Sequence, residues 1–391
     1  MLLRNARVVL AAATIESANV IVENGRIAGI SESDVSAPAS SPVIDLTGKT
    51  LFPGFVDVHI HGAAGVDTLE AEADDLQRVG AFLAQHGVTA WLPTLVPATE
   101  DQYQRAVRAV ADCLALGEDA EPQSAARVLG VHYEGPFVND QQCGALHREY
   151  FRTFRTAGDL DSLPVINHPA AIHMMTLAPE VAGGIQLIEE LTRRGWVSSI
   201  GHTKANTDVL DAAFNAGARH MTHFMNAMTP IHHRTVGAAG WGLTRAEVTF
   251  DLIADGIHLD PQIVKLMVRS KTSANVSLIS DAVAAAGLGD GEYEIWGEQI
   301  KVRSGRTQNA QGSIAGSVIT MLEAARLMLA LGFSECEVAQ MSSTNPARLL
   351  KIDHEYGSIE SGKRADLVAL DEQGQVQLTI IGGRIAFQDL S

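Results

Sequence analysis

Leu51-Phe52-Pro53-Gly54-Phe55-Val56-Asp57-Val58-His59-Ile60-His61 is an apolar run, 51–58, that closes on two histidines one residue apart. On a β-strand, alternate side chains share a face, so this spacing aims both imidazoles the same way. Neutral imidazole is a common ligand for zinc and related ions, and two rings on one face supply half of a four-coordinate site. The run is also the first of eight apolar, β-rich stretches: 51–58, 89–95, 128–133, 172–177, 197–200, 218–222, 248–253 and 276–279. Helical stretches separate them, which predicts a parallel sheet wrapped by helices, an α/β fold. Eight strands fit a closed (β/α)8 TIM-like barrel. An open doubly wound sheet is the alternative, but no GxGxxG turn follows the first strand, so a dinucleotide-binding reading has little support.

Outside those runs the chain reads differently. Residues 19–23 and 26–30 flank Asn24-Gly25, a hairpin signal, and 366–370 and 376–381 flank a turn at Glu372-Gln373-Gly374. Neither end has enough apolar surface for a stable sheet alone, so the termini are expected to pack together as one small discontinuous β-sandwich domain. The division expected is 1–52 and 356–391 for that domain and 53–355 for the barrel. An amphipathic helix is expected over 316–331, with Val318, Leu322 and Ala325 on one face.

Composition narrows the function. The 391 residues are 46% hydrophobic and 19% charged, with a net charge of -17. That charge argues against nucleic acid and against an anionic membrane surface as partners. No apolar run approaches the roughly 20 residues that span a bilayer, and the first ten residues do not read as a secretion signal, so the expected location is the cytoplasm. Cys113, Cys143 and Cys336 lie far apart without CxxC spacing, so a metal must be held by histidine and carboxylate.

Such residues cluster where the strands end. Glu134 follows the third run in His132-Tyr133-Glu134-Gly135-Pro136, His202 the fifth in Gly201-His202-Thr203, His223 the sixth in Thr222-His223-Phe224-Met225-Asn226-Ala227-Met228, and Asp281 the eighth in Ser280-Asp281-Ala282. In a barrel those ends form the rim on which active sites are built. A histidine and carboxylate set without thiolate suits a catalytic zinc, iron or manganese, which lowers the pKa of bound water toward about 7. Asp281 is then the candidate general base and acid. His132 shares a strand face with Glu134 and reads as packing or support for a ligand, while His220 is left out of the site.

Taken in order, HxH, HxEGP, GHT, THxxNAM, ADGxH and SDA resemble the amidohydrolase superfamily and, more narrowly, its N-acetylglucosamine-6-phosphate deacetylase family, from Pro53 to the closing Gly362-Lys363-Arg364-Ala365-Asp366-Leu367. The resemblance implies hydrolysis of an amino-sugar N-acetyl group, with a divalent metal held by Glu134, His202 and His223 and water activated by Asp281. Intact His59 and His61 imply room for a second ion sharing Glu134, so one or two ions per subunit, zinc first and iron, manganese or cobalt acceptable. Glu134 stands where many superfamily members carry a carboxylated lysine. The same resemblance implies a small-molecule sugar phosphate bound by rim loops and a homodimer able to lend a phosphate contact across its interface. Asn226 and Ala227 are expected to offer backbone N–H groups, and Arg234 a fork for phosphate. Ala145, His258 and the Ile314-Ala315-Gly316 turn, expected to open the amphipathic helix, complete the substrate set. The galactosamine epimer as substrate, another amidohydrolase activity such as that of a dihydroorotase or an N-acyl-amino-acid deacylase, and a non-catalytic scaffold are the rival readings.

Overall fold

Gly54 divides the opening run in two. The computed structural model, which describes residues 1–35, 41–116 and 124–389, places Thr50–Pro53 in one sheet and Phe55–Ile60 in another. A Cβ at position 54 would stand 2.3 Å from the Thr89 side chain, so only glycine lets the backbone pass there. The expected strand 51–58 is therefore two strands, and His59 lies inside the second rather than beyond its end.

Phe55–Ile60 pairs in parallel with Val88–Leu95, and the ladder continues through Gly130–Glu134, Ile172–Leu177, Val197–Ile200, His220–Met221, Thr249–Ile253 and Val276–Ile279. The ring closes at its C-terminal rim, where the Asp281 N–H donates to the His59 carbonyl at 2.9 Å and the His61 N–H to the Ala282 carbonyl at 2.8 Å. This is the TIM-like barrel, and its closure stitches the HxH pair to the SDA segment more than two hundred residues away. Every residue of the first two strands is buried, as expected of strands covered on both faces. The covering helices show the matching period: on Ala73–Gln85 the buried positions are Leu76, Val79, Gly80, Leu83 and Ala84. The sixth strand is shorter than the expected 218–222, because the chain leaves it for a left-handed turn at His223, φ 32°.

Strands from both termini share one mixed sheet, ordered Arg384–Gln388, Val376–Ile381, Leu367–Leu370, Thr50–Pro53, Leu2–Val9, Thr14–Glu23, Arg26–Ser31, with Val43–Asp45 also paired to Leu2–Val9. Asn24 and Gly25 both have positive φ, 49° and 77°, the turn whose twist matches a two-residue hairpin. Leu3, Val8, Val20, Leu51, Leu367 and Leu378 belong to an apolar cluster separate from the barrel's.

The region after the eighth strand differs from expectation. Gly291–Ile295, Glu298–Arg303 and Arg306–Gln308 form a three-stranded antiparallel sheet that the sequence reading did not anticipate. The amphipathic helix begins at Met321, not 316, because Thr320 caps it by accepting the Glu323 N–H. Ile314, Ala315 and Gly316 therefore do not open a helix. Their segment runs alongside the eighth-strand exit, with Ser317 bridged in parallel to Ala282. Among the described residues no helix is long and apolar enough to cross a membrane.

Candidate metal centre

Six rim residues that the sequence singles out meet within one buried space. His59 and His61 bring their Nε2 atoms 3.2 Å apart. Glu134 closes the third strand between all four imidazoles. Its Oε1 lies 3.0 Å from His202 Nε2, 3.1 Å from His223 Nε2 and 3.4 Å from His59 Nε2, and its Oε2 lies 3.4 Å from His61 Nε2. Asp281 Oδ1 reaches the first-strand pair, 3.5 Å from His59 Nε2 and 3.3 Å from His61 Nε2. Two groups of three, His59–His61–Glu134 and Glu134–His202–His223, each have ligand atoms close enough to grip one ion, and Glu134 belongs to both. His202, His223 and Asp281 all leave their strands with left-handed backbone, φ 47°, 32° and 49°, which turns their side chains inward over the barrel mouth. Such conformations are costly for non-glycine residues and persist where the surroundings hold them, characteristically at functional sites.

The donor chemistry defines what this cluster can hold. His61 Nδ1 donates to the Thr94 carbonyl at 3.2 Å and His202 Nδ1 to the Gln142 carbonyl at 2.7 Å, since a carbonyl can only accept. Each neutral ring then presents a bare Nε2 to the centre. Lone pairs of imidazoles and carboxylate oxygens therefore converge at 3.0–3.4 Å. A cation satisfies all of them at once, so the residues present fit a divalent metal.

In the metal-free protein, protons would take the place of that charge. Burial pulls the His61 and His223 imidazoles down, but their carboxylate neighbours, Asp281 and Glu134 for His61 and chiefly Glu134 for His223, outweigh it and raise them to about 10 and about 9. Burial alone would raise Glu134 and Asp281. The surrounding imidazoles override it, holding Glu134 well below and Asp281 below the usual carboxylate range.

The expected substrate residues are placed less uniformly. Gly316, φ 57°, lies on Asp281: a Cβ there would stand 2.8 Å from the Asp281 carbonyl oxygen and 2.5 Å from Val283 Cγ1. Ala315 is buried in an apolar cluster with Val283 and Ile295, and Ala145 packs against the same cluster, so the loops after the third and eighth strands meet. Ile314 is half-buried just before them. His258 follows the seventh strand, its Nδ1 2.7 Å from Asp255 Oδ2. Asn226 does not offer its backbone N–H as expected, because that group donates to the His223 carbonyl at 2.9 Å. Its side-chain Nδ2, by contrast, is buried without a hydrogen-bond partner among the described residues. Ala227 carries a left-handed φ of 49°, and its carbonyl accepts the Thr203 N–H. Arg234 lies on the exposed stretch 231–236 with His232 and His233.

The surroundings of the centre include residues outside the expected ligand and substrate sets, and His132 in the supporting place expected of it. Asp57 is fully buried and accepts the Ser280 hydroxyl at 2.5 Å, tying the first strand to the eighth. His132 lies beneath the centre, its ring 4.7 Å from that of His59 and its Nε2 2.8 Å from the Thr176 hydroxyl. Trp296, at the tip of the small antiparallel sheet, sets its ring edge-on to His61 at 5.2 Å. His220, left out, is buried with Nε2 2.9 Å from Asp251. A carboxylate inside an apolar strand, as Asp57 and Asp251 are, was the available signal.

A barrel whose rim gathers imidazoles and carboxylates around a place for a divalent ion defines a metal-dependent hydrolase of the (β/α)8 class. The chain belongs to the amidohydrolase family, whose profile matches residues 50–386. It is 35% identical over 392 residues to the N-acetylglucosamine-6-phosphate deacetylase of Bacillus subtilis (strain 168), covering 99% of this chain and 97% of that one. It is 36% identical over 366 residues to the N-acetylgalactosamine-6-phosphate deacetylase of Escherichia coli O157:H7, covering 93% of each. Among solved structures, a mutant N-acetyl-D-glucosamine-6-phosphate deacetylase from Mycobacterium smegmatis, in complex with N-acetyl-D-glucosamine-6-phosphate, superposes with a TM-score of 0.88 at 30% identity over 99% of both chains.

Proposed function

We propose that this enzyme hydrolyses the acetamide of N-acetylglucosamine 6-phosphate to acetate and glucosamine 6-phosphate. The observation that carries the reading is the meeting of four imidazoles with Glu134 beside Asp281, in a chain whose relatives are named for that deacetylation. Glu134, His202 and His223 would hold one divalent ion and His59, His61 and Glu134 a second, with zinc the metal best matched to this donor set. An ion held there would supply polarisation of the acetyl carbonyl and a lowered pKa for water. Asp281, kept ionised by its imidazole neighbours, takes the proton of the attacking water and delivers it to the amine nitrogen as the C–N bond breaks. Arg234 is assigned to the phosphate, and Ala145, Asn226, Ala227, His258, Ile314, Ala315 and Gly316 to the substrate's surroundings.

The Escherichia coli relative favours a second reading, the galactosamine epimer, at 36% identity against 35% for the Bacillus subtilis enzyme. Comparing kcat/KM for the two sugar phosphates separates them. Exposed Ile231 and Val236 flank Arg234, which supports a homodimer formed around that loop. A cytoplasmic location follows from the substrate, since a sugar phosphate is retained on that side of a membrane.

The test is Asp281→Asn. Turnover should fall about a thousandfold or more while the metal-to-protein ratio is kept. Loss of metal together with activity, or an unchanged rate, contradicts the role assigned to Asp281.

A further inference from the structure

Three imidazoles of the centre have their Nδ1 atoms held by partners, and one partner differs in kind. His61 and His202 donate to backbone carbonyls, which accept in every circumstance. His59 Nδ1 instead faces the Thr222 hydroxyl at 2.9 Å, and a hydroxyl can either accept or donate. What decides is Asp251. Its carboxylate is fully buried on the seventh strand, which supplies no ligand to the centre. Its Oδ2 accepts from His220 Nε2 at 2.9 Å, its Oδ1 accepts the His223 backbone N–H, and both oxygens lie 3.3 Å from the Thr222 hydroxyl. Facing a carboxylate, Thr222 must be the donor there. Its single proton so committed, the Thr222 oxygen is left to accept the Nδ1 proton of His59.

We infer that Asp251, acting through Thr222, is a positioning residue that fixes the His59 tautomer and thereby gives the first-strand half of the centre its bare Nε2. The inference rests on reading the cluster as a metal centre. Burying a carboxylate in an apolar strand core is costly unless its oxygens are satisfied, and Asp251 is fully buried within Thr249–Ile253. The oxygens of Asp251 converge on the two residues that precede and include a ligand, Thr222 and His223. The same carboxylate thus braces the left-handed backbone of His223, φ 32°, and sets the proton on His59. Partners behind metal-bound histidines commonly act in this way.

The test uses the full chain loaded with zinc, with Thr222→Val, Thr222→Ser and Asp251→Asn variants. Zinc per chain and zinc affinity are read by competition with a chromophoric chelator, and a thermal melt reports folding. Thr222→Val keeps the shape and removes the hydroxyl, so zinc at one position should weaken about 10–100-fold, whereas Thr222→Ser should restore it. Asp251→Asn should show at least the same loss, because an amide can donate to the Thr222 oxygen and turn its hydroxyl toward Nδ1. Adding Thr222→Val to Asp251→Asn should then cost nothing further at the His59 position. If Asp251→Asn does not fold, the Thr222 pair decides alone. Thr222→Val binding zinc as the parent does, in one ion or two, overturns the inference and leaves the metal reading standing. A parent that takes up no zinc overturns both.

Discussion

The two halves of the centre are built by opposite means. His59 and His61 sit in and just past a strand whose backbone is bonded on both sides: the His59 carbonyl accepts the Asp281 N–H, and the His61 N–H and carbonyl engage Ala282 and Thr68. The next residue, Gly62, is so confined that a Cβ would fall 2.0 Å from the Val66 carbonyl oxygen. His202 and His223 stand beyond their strands on left-handed backbone. His202 is oriented by the Gln142 carbonyl from a rim loop, and His223 Nδ1 is buried without a hydrogen-bond partner among the described residues. One half is fixed by the barrel alone, whereas in the other a rim loop orients His202 and a strand carboxylate, Asp251, braces His223. Affinity for an ion in the first half should therefore be insensitive to rim loops, and affinity in the second should follow them.

Glu134 is where the comparison is broken most severely, because both halves share it. Glu134→Gln keeps the shape and replaces one oxygen with an amide nitrogen that repels a cation. Both ions should be lost or greatly weakened, and kcat/KM should fall by about a thousandfold or more. Elemental analysis beside the assay checks this. A variant that keeps one full ion would show that the halves do not share the carboxylate.

The metal-free protein offers a smaller and subtler break. His61 and His223 rise from 6.5 to about 10 and about 9 in the folded state, so the stability they contribute is fully present below pH 6.5 and is lost as pH climbs through 9 and 10. Chelator-treated protein should lose several degrees of Tm between pH 6.5 and pH 10 relative to ion-loaded protein, in which the metal takes the place of those protons. Parallel melting curves for the two forms across that range would count against this balance of charge.

The sequence carried the barrel and the first half of the centre more openly than the second. Alternation alone predicts that His59 and His61 share a face, and the strand shows them doing so. No local periodicity places His202 or His223, because their inward aim depends on positive φ after the strand ends; they were legible only as motifs at a barrel rim. Three features had weaker signals. The break at Gly54 requires knowing that Thr89 lies against it. The late start of the helix at Met321 is encoded in Thr320 and Glu323, a capping pair that sets the helix start five residues beyond Gly316. Asp251 reads as one polar residue in an apolar run until the neighbouring strand brings Thr222 and His220 to it.

The smallest effect is expected at Gly144, in the loop that orients His202. Its φ is 58°, and a Cβ there would lie 3.7 Å from His202 Cε1, an ordinary contact. The cost of Gly144→Ala is then the left-handed backbone alone, about 1 kcal/mol, or about 2 °C or less in Tm for a chain of this size. Any relaxation of that strain moves the Gln142 carbonyl two residues away, so the ion held by His202 and His223 should weaken modestly while the ion at His59 and His61 is unchanged. Equal weakening of both ions would mean that the barrel half also leans on the loops, and the division between a rigid and an adaptable half would have to be given up.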